Sequence, residues 1–364
     1  MLDYFRKMDA PNTVLVLGNG FDLHCGLKSR FKDFFEDELK NKPCKIKSNI
    51  WYLIFYYAYM LDYNHGGSLV PFVNNSNPLW MDVETYIDNV FKTSNLMGIL
   101  KIYDFIKNII LMNDDEFLED SLVLNGDQKN QTYQIKYRVI ELLKSKHYTS
   151  AEDLLFEELK RFETDFANYL KKQIQENKFE YTKNVDIFTQ KIFDNHGTNE
   201  LFILTFNYSN NFNPSIGDEK IVNVHGKLDS NNIIIGIGDY EKSGLPGRDS
   251  FKKSRRRILN KLGPLNLPKK EMITCVNFYG CSFSKQDWNY YHTIFQIYDL
   301  GNSEVVFKFL YSDYEDTDKK NEINRDKYYG NCEEVVNSYC KAKRVETSFN
   351  ELCTIGKITF EPVK

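Results

Sequence analysis

The sequence lacks any long apolar run. Its longest, Trp51–Leu61, has eleven residues, whereas a helix that crosses a bilayer needs about 20, so this run predicts a buried helix. Residues Met1–Asn12 mix charged and apolar side chains and lack the continuous apolar region of a signal peptide. The sequence therefore predicts a cytoplasmic protein with no membrane partner.

Paired cysteines are also missing. The seven cysteines include no Cys-x-x-Cys pair, the spacing that structural zinc sites commonly use. We therefore predict no zinc ribbon and assign no metal ligands. An odd number of unpatterned cysteines is typical of a reducing compartment, which agrees with a cytoplasmic location.

Positive charge is not in excess. The chain has 47 Lys and Arg against 51 Asp and Glu, a formal net charge of −4. Proteins whose main partner is nucleic acid usually carry a basic excess. Nucleic acid is therefore not the expected partner, and a small molecule or a protein is.

Two kinds of pattern alternate along the chain. Thr13–Leu17 is a short β-branched apolar run, typical of a buried parallel strand. Residues 31–195 instead show mostly helical spacing. The clearest case is a helix predicted over Ala151–Glu176, whose apolar stripe is formed by Leu155, Leu159, Phe162, Phe166 and Leu170.

Strand patterns return after this helical region, at Leu201–Phe206, Ile221–Val224, Asn232–Ile237, Met272–Tyr279, Glu304–Tyr311 and Gly356–Phe360. This order predicts an α/β fold with a doubly wound, Rossmann-like parallel sheet. Its core would comprise residues 1–30 and 196–364, with a helical insertion at 31–195. The polar stretches Lys242–Lys261 and Ser312–Lys327 predict long surface loops.

A glycine-rich turn follows the first strand, with the sequence Gly18-Asn19-Gly20-Phe21-Asp22. Glycines let a backbone approach a phosphate closely, and a following helix adds free N–H groups. A tight connection without a ligand produces the same pattern. Taken alone, the turn leaves both interpretations open.

Three other strands end in small or polar residues. Thr205-Phe206-Asn207 ends one, His225-Gly226 follows the next, and Gly280-Cys281-Ser282 ends a third, with Asp287 shortly after it. Each has an ordinary explanation as a turn or a helix cap. The carboxyl ends of parallel strands share one crevice, however, so together they predict one ligand site.

These landmarks resemble the AbiH abortive-infection family. The resemblance runs over about residues 14–295 and is carried by Leu17–Asp22, Gly26-Leu27, Trp80–Glu84, Glu157–Phe166, Phe206–Tyr208, His225-Gly226, Gly236–Asp239 and Gly280–Asp287. It implies a role in defence against phage.

The same residues resemble the sirtuin superfamily, which implies an NAD-binding core. The resemblance assigns NAD contacts to Gly18, Asn19, Gly20, Phe21, Asp22, Thr205, Gly280, Cys281 and Ser282, and catalysis to Asn207 and His225. Two features depart from the sirtuin pattern. The absence of the cysteine ribbon argues against deacetylation, and Asp22 replaces a usual Ser, which places a carboxylate near the expected pyrophosphate.

The resemblances imply a NAD glycohydrolase that depletes NAD on infection, held inactive until then by an oligomeric switch, a phage-derived trigger or a partner subunit. Two alternatives stay open, a NAD or ADP-ribose sensor without catalysis and a nuclease. A nuclease would use the basic run Lys252–Arg257, which we interpret instead as a solvated loop or partner surface. Trp80, Asp82 and Glu84 either cap the site or are respectively core and solvent-facing.

Overall fold

A six-stranded parallel sheet forms the centre of the molecule. The computed structural model describes residues 13–41, 49–52, 83–90, 151–196, 201–239, 248–312 and 318–363. The strands lie in the order β3-β2-β1-β4-β5-β6, and every neighbouring pair is parallel. They are β1 (Thr13–Leu17), β2 (Leu201–Thr205), β3 (Ile221–Asn223), β4 (Cys275–Tyr279), β5 (Val306–Tyr311) and β6 (Ile358–Pro362). The predicted α/β fold is confirmed.

The strand order reverses between β1 and β4. From β1 the chain order proceeds to β2 and β3 on one side, and to β4, β5 and β6 on the other. In open α/β sheets ligands bind at such a switch point, outside the carboxyl ends of the strands. The first and fourth strands therefore define where a ligand crevice belongs.

Helices lie between the strands and cover both faces of the sheet. They are α1 (Asn19–His24), α2 (Phe31–Asn41), α3 (Val83–Val90), α4 (Ala151–Glu176), α5 (Lys178–His196), α6 (Lys253–Leu259), α7 (Trp288–Ile297), α8 (Asp318–Lys343) and α9 (Phe349–Thr354). Val14 and Val16 of β1 belong to the core beneath α7 and α8, whereas Leu15 and Leu17 belong to the core beneath α5. This alternation follows from the two-residue period of a strand.

The helical insertion lies between β1 and β2. Helices α2, α3, α4 and α5 fall within this interval, and the predicted helix Ala151–Glu176 is confirmed with its stripe buried. Of Trp51–Leu61, Trp51 and Tyr52 are helical and buried, and the rest lies outside the described residues. The exact domain boundaries stay a prediction. None of the helices that the structure describes has the length and apolar character of a membrane span.

One predicted strand is wrong. Asn232–Ile237 forms no strand, apart from a single bridge between Ile237 and Lys252. Side chains instead satisfy its backbone: Glu163 accepts from the Ile235 N–H at 2.6 Å, and Arg256 donates to the Ile235 carbonyl at 2.6 Å. The apolar run is buried as predicted, but it is an extended segment held by an ion pair.

Both predicted surface loops were also wrong in part. Helix α6 begins at Lys253 within the first, and Lys253 and Arg256 are buried. Helix α8 begins at Asp318 within the second. Charged residues concealed helix α6, because the ion pairs that bury Lys253 and Arg256 join residues far apart in the sequence.

Candidate functional site

A cavity of about 890 Å³ opens at the carboxyl edge of the sheet. The ends of five neighbouring strands, β3, β2, β1, β4 and β5, contribute to its wall. Of the residues predicted for the site, it is lined by Gly18, Asn19, Gly20, Asp22, Asn207, His225, Gly280, Cys281 and Ser282. The fold thus brings together nine of the eleven predicted residues.

The other two predicted residues lie behind the wall. Phe21 is buried in the core and its ring packs against Phe188 and Phe212. Thr205 is fully buried, and its hydroxyl accepts a hydrogen bond from the Asn207 N–H at 3.0 Å. The structure gives Phe21 a packing contact and Thr205 a contact that positions the Asn207 backbone.

Three glycines build the floor of the cavity at the switch point. The N–H of Gly18 donates to the Tyr279 carbonyl and that of Gly20 to the Gly280 carbonyl, both at 2.9 Å. A Cβ on Gly18 would lie 2.6 Å from Cys281 Cα, and one on Gly20 would lie 2.6 Å from Gly280 Cα. Glycine is therefore required for the two loops to pack backbone against backbone.

Replacing Gly280 by Ala should lower the free energy of unfolding by about 2–4 kcal/mol, from backbone strain plus overpacking. Gly280 has φ of +67°, and its added methyl would lie 2.7 Å from the Gly20 carbonyl carbon. Gly356→Ala is the matched control, because Gly356 has φ of +73° with nothing within 4 Å. Urea denaturation checks this, and equal losses in both variants would contradict the loop contact.

Asn207 presents an unsatisfied amide to the cavity. The residue is 4% exposed, and neither its Oδ1 nor its Nδ2 has a hydrogen-bond partner. Its backbone is fixed by Thr205 and by Asn223, whose Nδ2 donates to the Asn207 carbonyl at 3.0 Å. A buried amide without partners costs free energy unless a ligand or water supplies them.

His225 is held between aromatic rings and a carboxylate. Its ring centroid lies 5.4 Å from that of Phe206 and 5.3 Å from that of Tyr290. Nε2 lies 3.0 Å from Asp287 Oδ1, and the buried Nδ1 has no partner. Burial, aided by the charge of Lys253, lowers the pKa of His225 to about 4, so the imidazole is neutral at pH 7.

A chain of ion pairs, which the sequence did not predict, supports His225. Lys253 Nζ donates to Asp287 Oδ1 at 2.7 Å and to Glu84 Oε2 at 2.6 Å. Although burial opposes ionisation, the charge of Lys253 and the hydrogen bonds from His225 and Lys253 hold the pKa of Asp287 well below its usual range. Glu84 therefore lies in the cavity wall, which agrees with the first of the two alternatives stated for it and not with the solvent-facing one. Trp80 and Asp82 lie outside the described residues.

The Asp22 side chain accepts hydrogen bonds from two hydroxyl groups. Tyr181 donates to its Oδ1 at 2.7 Å, and the Ser209 hydroxyl lies 2.9 Å from its Oδ2. Burial raises the pKa of Asp22 to about 6, although both hydrogen bonds oppose the shift. The carboxylate thus ties α1 to α5 and to the segment after β2.

Asp22→Asn should remove part of the dependence of stability on pH. The native carboxyl keeps its proton up to about pH 6, whereas an ordinary Asp loses it near 3.8. The native state then binds more protons between these values, so Asp22 makes stability fall as the pH rises through them.

The stability difference between the Asn variant and the parent should therefore grow by about 2.4 kcal/mol from pH 4 to pH 7, at about 1.4 kcal/mol per pKa unit. Urea denaturation across this range measures it. Asp229→Asn, at an exposed position, is the control and should show a constant difference. A constant difference for Asp22→Asn as well would contradict the raised pKa.

Cys281 and Ser282 differ in what they offer a ligand. Burial raises the pKa of the Cys281 thiol to about 12, so the reactive thiolate is not formed at neutral pH. Ser282 is exposed at the cavity, and its carbonyl accepts from Asn331 Nδ2 at 3.1 Å. Of the two side chains, only the Ser282 hydroxyl is suited to bind a ligand oxygen.

The basic run Lys252–Arg257 is not the solvated loop that we predicted. Lys253 and Arg256 are buried in ion pairs, and Arg257 donates to the carbonyls of Val224 and Gly263. These cations therefore hold the protein together and are not presented as a surface for phosphates.

The acids Asp22, Glu84 and Asp239, which a metal-dependent nuclease would have to bring together, have separate partners. Asp22 binds Tyr181 and Ser209, Glu84 binds Lys253, and Asp239 accepts from Ser254 and Asn289. Within the described ranges, no three His, Cys, Asp or Glu side chains are grouped so that they could hold a metal ion.

Comparison with known proteins identifies the family. No curated protein matches the sequence. Residues 14–309 match the family described as bacteriophage abortive infection AbiH, and this region includes all nine predicted site residues that line the cavity. Since the match covers well over half of the chain, the protein belongs to the AbiH family of bacteriophage abortive-infection proteins.

Proposed function

We propose that this AbiH protein is a NAD glycohydrolase that depletes NAD during phage infection. The observation that carries the proposal is the pairing, in one cavity, of a buried Asn207 amide and a buried His225 Nδ1 that both lack partners. Unsatisfied polar atoms in a cleft are characteristic of a site built for a ligand. The sirtuin-like order of the sequence motifs supports NAD as that ligand.

The cavity is suited to a dinucleotide in size and position. Its volume of about 890 Å³ lies within the range of about 300–1,000 Å³ typical of small-molecule sites. Its floor is glycine backbone at the switch point of the sheet, where the chain approaches a pyrophosphate without side chains in the way. Strand ends on both sides of this floor would receive the two halves of the dinucleotide.

In the proposed reaction, the bond between the nicotinamide nitrogen and the ribose C1′ breaks, and its electron pair leaves with nicotinamide. Asn207 orients a water molecule through its amide, and His225 Nδ1 accepts a proton as the water oxygen bonds to C1′. The products are nicotinamide, ADP-ribose and a proton released to solvent. Asp22, which lines the same cavity, would stabilise the positive charge that develops on the ribose.

Product analysis tests the proposal directly. The purified full chain is incubated with NAD, with and without a lysate of phage-infected cells, and the products are separated by chromatography. We expect nicotinamide and ADP-ribose in equal amounts, with the lysate included because the enzyme would be held inactive until a phage-derived trigger or a change of oligomeric state releases it. Intact NAD under both conditions would overturn the glycohydrolase.

A nucleotide sensor without catalysis is the second candidate. The lowered pKa of His225, about 4, favours it, because an imidazole that holds a proton so weakly is a poor general base. A sensor would bind NAD or ADP-ribose saturably, in a calorimetric titration, and release no product. Binding with product formation decides for the enzyme.

A further inference from the structure

The contact between His225 and Asp287 restricts where the imidazole carries its proton. An ionised carboxylate has only acceptor atoms, so Asp287 Oδ1, 3.0 Å from Nε2, requires a proton on Nε2. If the proton were on Nδ1 instead, two lone pairs would face each other across this distance. The neutral ring therefore carries its proton on Nε2 and leaves Nδ1 as an acceptor.

The Lys253 cation keeps Asp287 ionised, and Glu84 holds Lys253 in place. Lys253 is 1% exposed at its side chain and donates to the same Oδ1 at 2.7 Å. Its second partner is Glu84 of helix α3, whose Oε1 also accepts from the Gly236 N–H at 3.4 Å. Lys253 of helix α6 thus links helix α3 of the insertion to the carboxylate that contacts the histidine.

The charged groups around His225 have opposing effects on whether the ring takes up a second proton. The Lys253 cation disfavours a second proton on the ring, whereas Asp287 favours one. Arg257, which donates to the Val224 carbonyl directly before His225, also disfavours it. Because the cations and burial prevail, the ring remains a neutral acceptor.

We propose that Asp287 is a positioning residue that fixes the Nε2–H tautomer of His225, and that the Lys253–Glu84 pair holds its carboxylate in place. The tautomer leaves Nδ1 free to accept the proton of the attacking water. The use of Nδ1 as a base in NAD cleavage rests on the proposed function. The tautomer and the ion pairs that fix it do not depend on that function.

Nuclear magnetic resonance of the imidazole nitrogens tests the tautomer in the full chain without NAD. Long-range ¹H–¹⁵N spectra of histidine-labelled protein at pH 7.5 separate protonated from unprotonated ring nitrogens, and His225→Ala identifies the signal among six histidines. We expect a protonated Nε2 and an unprotonated Nδ1. A protonated Nδ1 in the parent would overturn the proposal, whether or not any variant folds.

Asp287→Asn supplies the second test. The amide is neutral and offers a donor as well as an acceptor, so the fixed tautomer should give way to a mixture or to Nδ1–H. Asp299→Asn is the control, since Asp299 pairs with Lys270 at 3.4 Å on the surface and should leave the His225 signals unchanged. A His225 spectrum of Asp287→Asn identical to that of the parent would count against the positioning role.

Kinetics complete the test. With NAD cleavage as the readout, Asp287→Asn should lower kcat by about 10²-fold or more with little change in KM, as expected when a base histidine loses its orienting carboxylate. A rise in KM with kcat unchanged would contradict the role. The expected tautomer in a parent that produces no ADP-ribose would instead count against the proposed function alone.

Discussion

His225→Ala is expected to lower the rate of NAD cleavage by about 10²- to 10⁴-fold, the usual contribution of a positioned general base. The residue is buried at the cavity, and its unpaired Nδ1 is the basic atom that the site offers. Nicotinamide release under initial-rate conditions measures the effect. His24→Gln is the matched control, because His24 contacts Tyr279 and is not among the residues that line the cavity.

Asn207→Ala should cause a loss of similar size, because its amide, like His225 Nδ1, is buried without partners in the cavity wall. Its backbone is held by Thr205 and Asn223, so truncating the side chain leaves the β2 strand end in place. Circular dichroism and the denaturation midpoint establish that each variant is folded. Full NAD cleavage by both variants would refute the assignment of these two residues.

Arg256→Ala is expected to lower the free energy of unfolding by about 3–5 kcal/mol, because removing one partner of a buried ion pair leaves the other uncompensated. Arg256 and Glu163 are 2% and 7% exposed at their side chains and pair through both guanidinium NH groups. The same Arg donates to the Ile235 carbonyl. Burial already raises the pKa of Glu163, so losing the cation should favour its protonation.

The surface pair Lys32–Glu36 provides the comparison. Its side chains are 41% and 46% exposed and 3.9 Å apart, so Lys32→Ala should cost less than about 1 kcal/mol. Urea denaturation of both variants measures the two losses. A loss for Arg256→Ala no larger than that for Lys32→Ala would contradict the structural role of the buried pair.

Local sequence patterns determined the sheet and the location of the cavity. Five of the six predicted strands after β1 are present, because a short run of apolar, β-branched residues favours a buried strand wherever it lies. Small or polar residues at strand ends indicated the cavity, since parallel strands bring their carboxyl ends to one edge. The glycines after β1 and β4 were predicted to contact a ligand. The structure shows in addition that these two loops pack against each other through Gly18, Gly20 and Gly280.

Only the tertiary structure decided which charged side chains are buried and which ion pairs support the candidate site. Lys253 is 169 residues from Glu84 and 34 from Asp287 in the chain, and Glu163 is 93 from Arg256. No local pattern links residues so far apart, so a dense basic run resembled a solvated loop. Whether a charge is buried depends on finding its partner in the folded chain, and in this protein the partners come from the helical insertion and the core together.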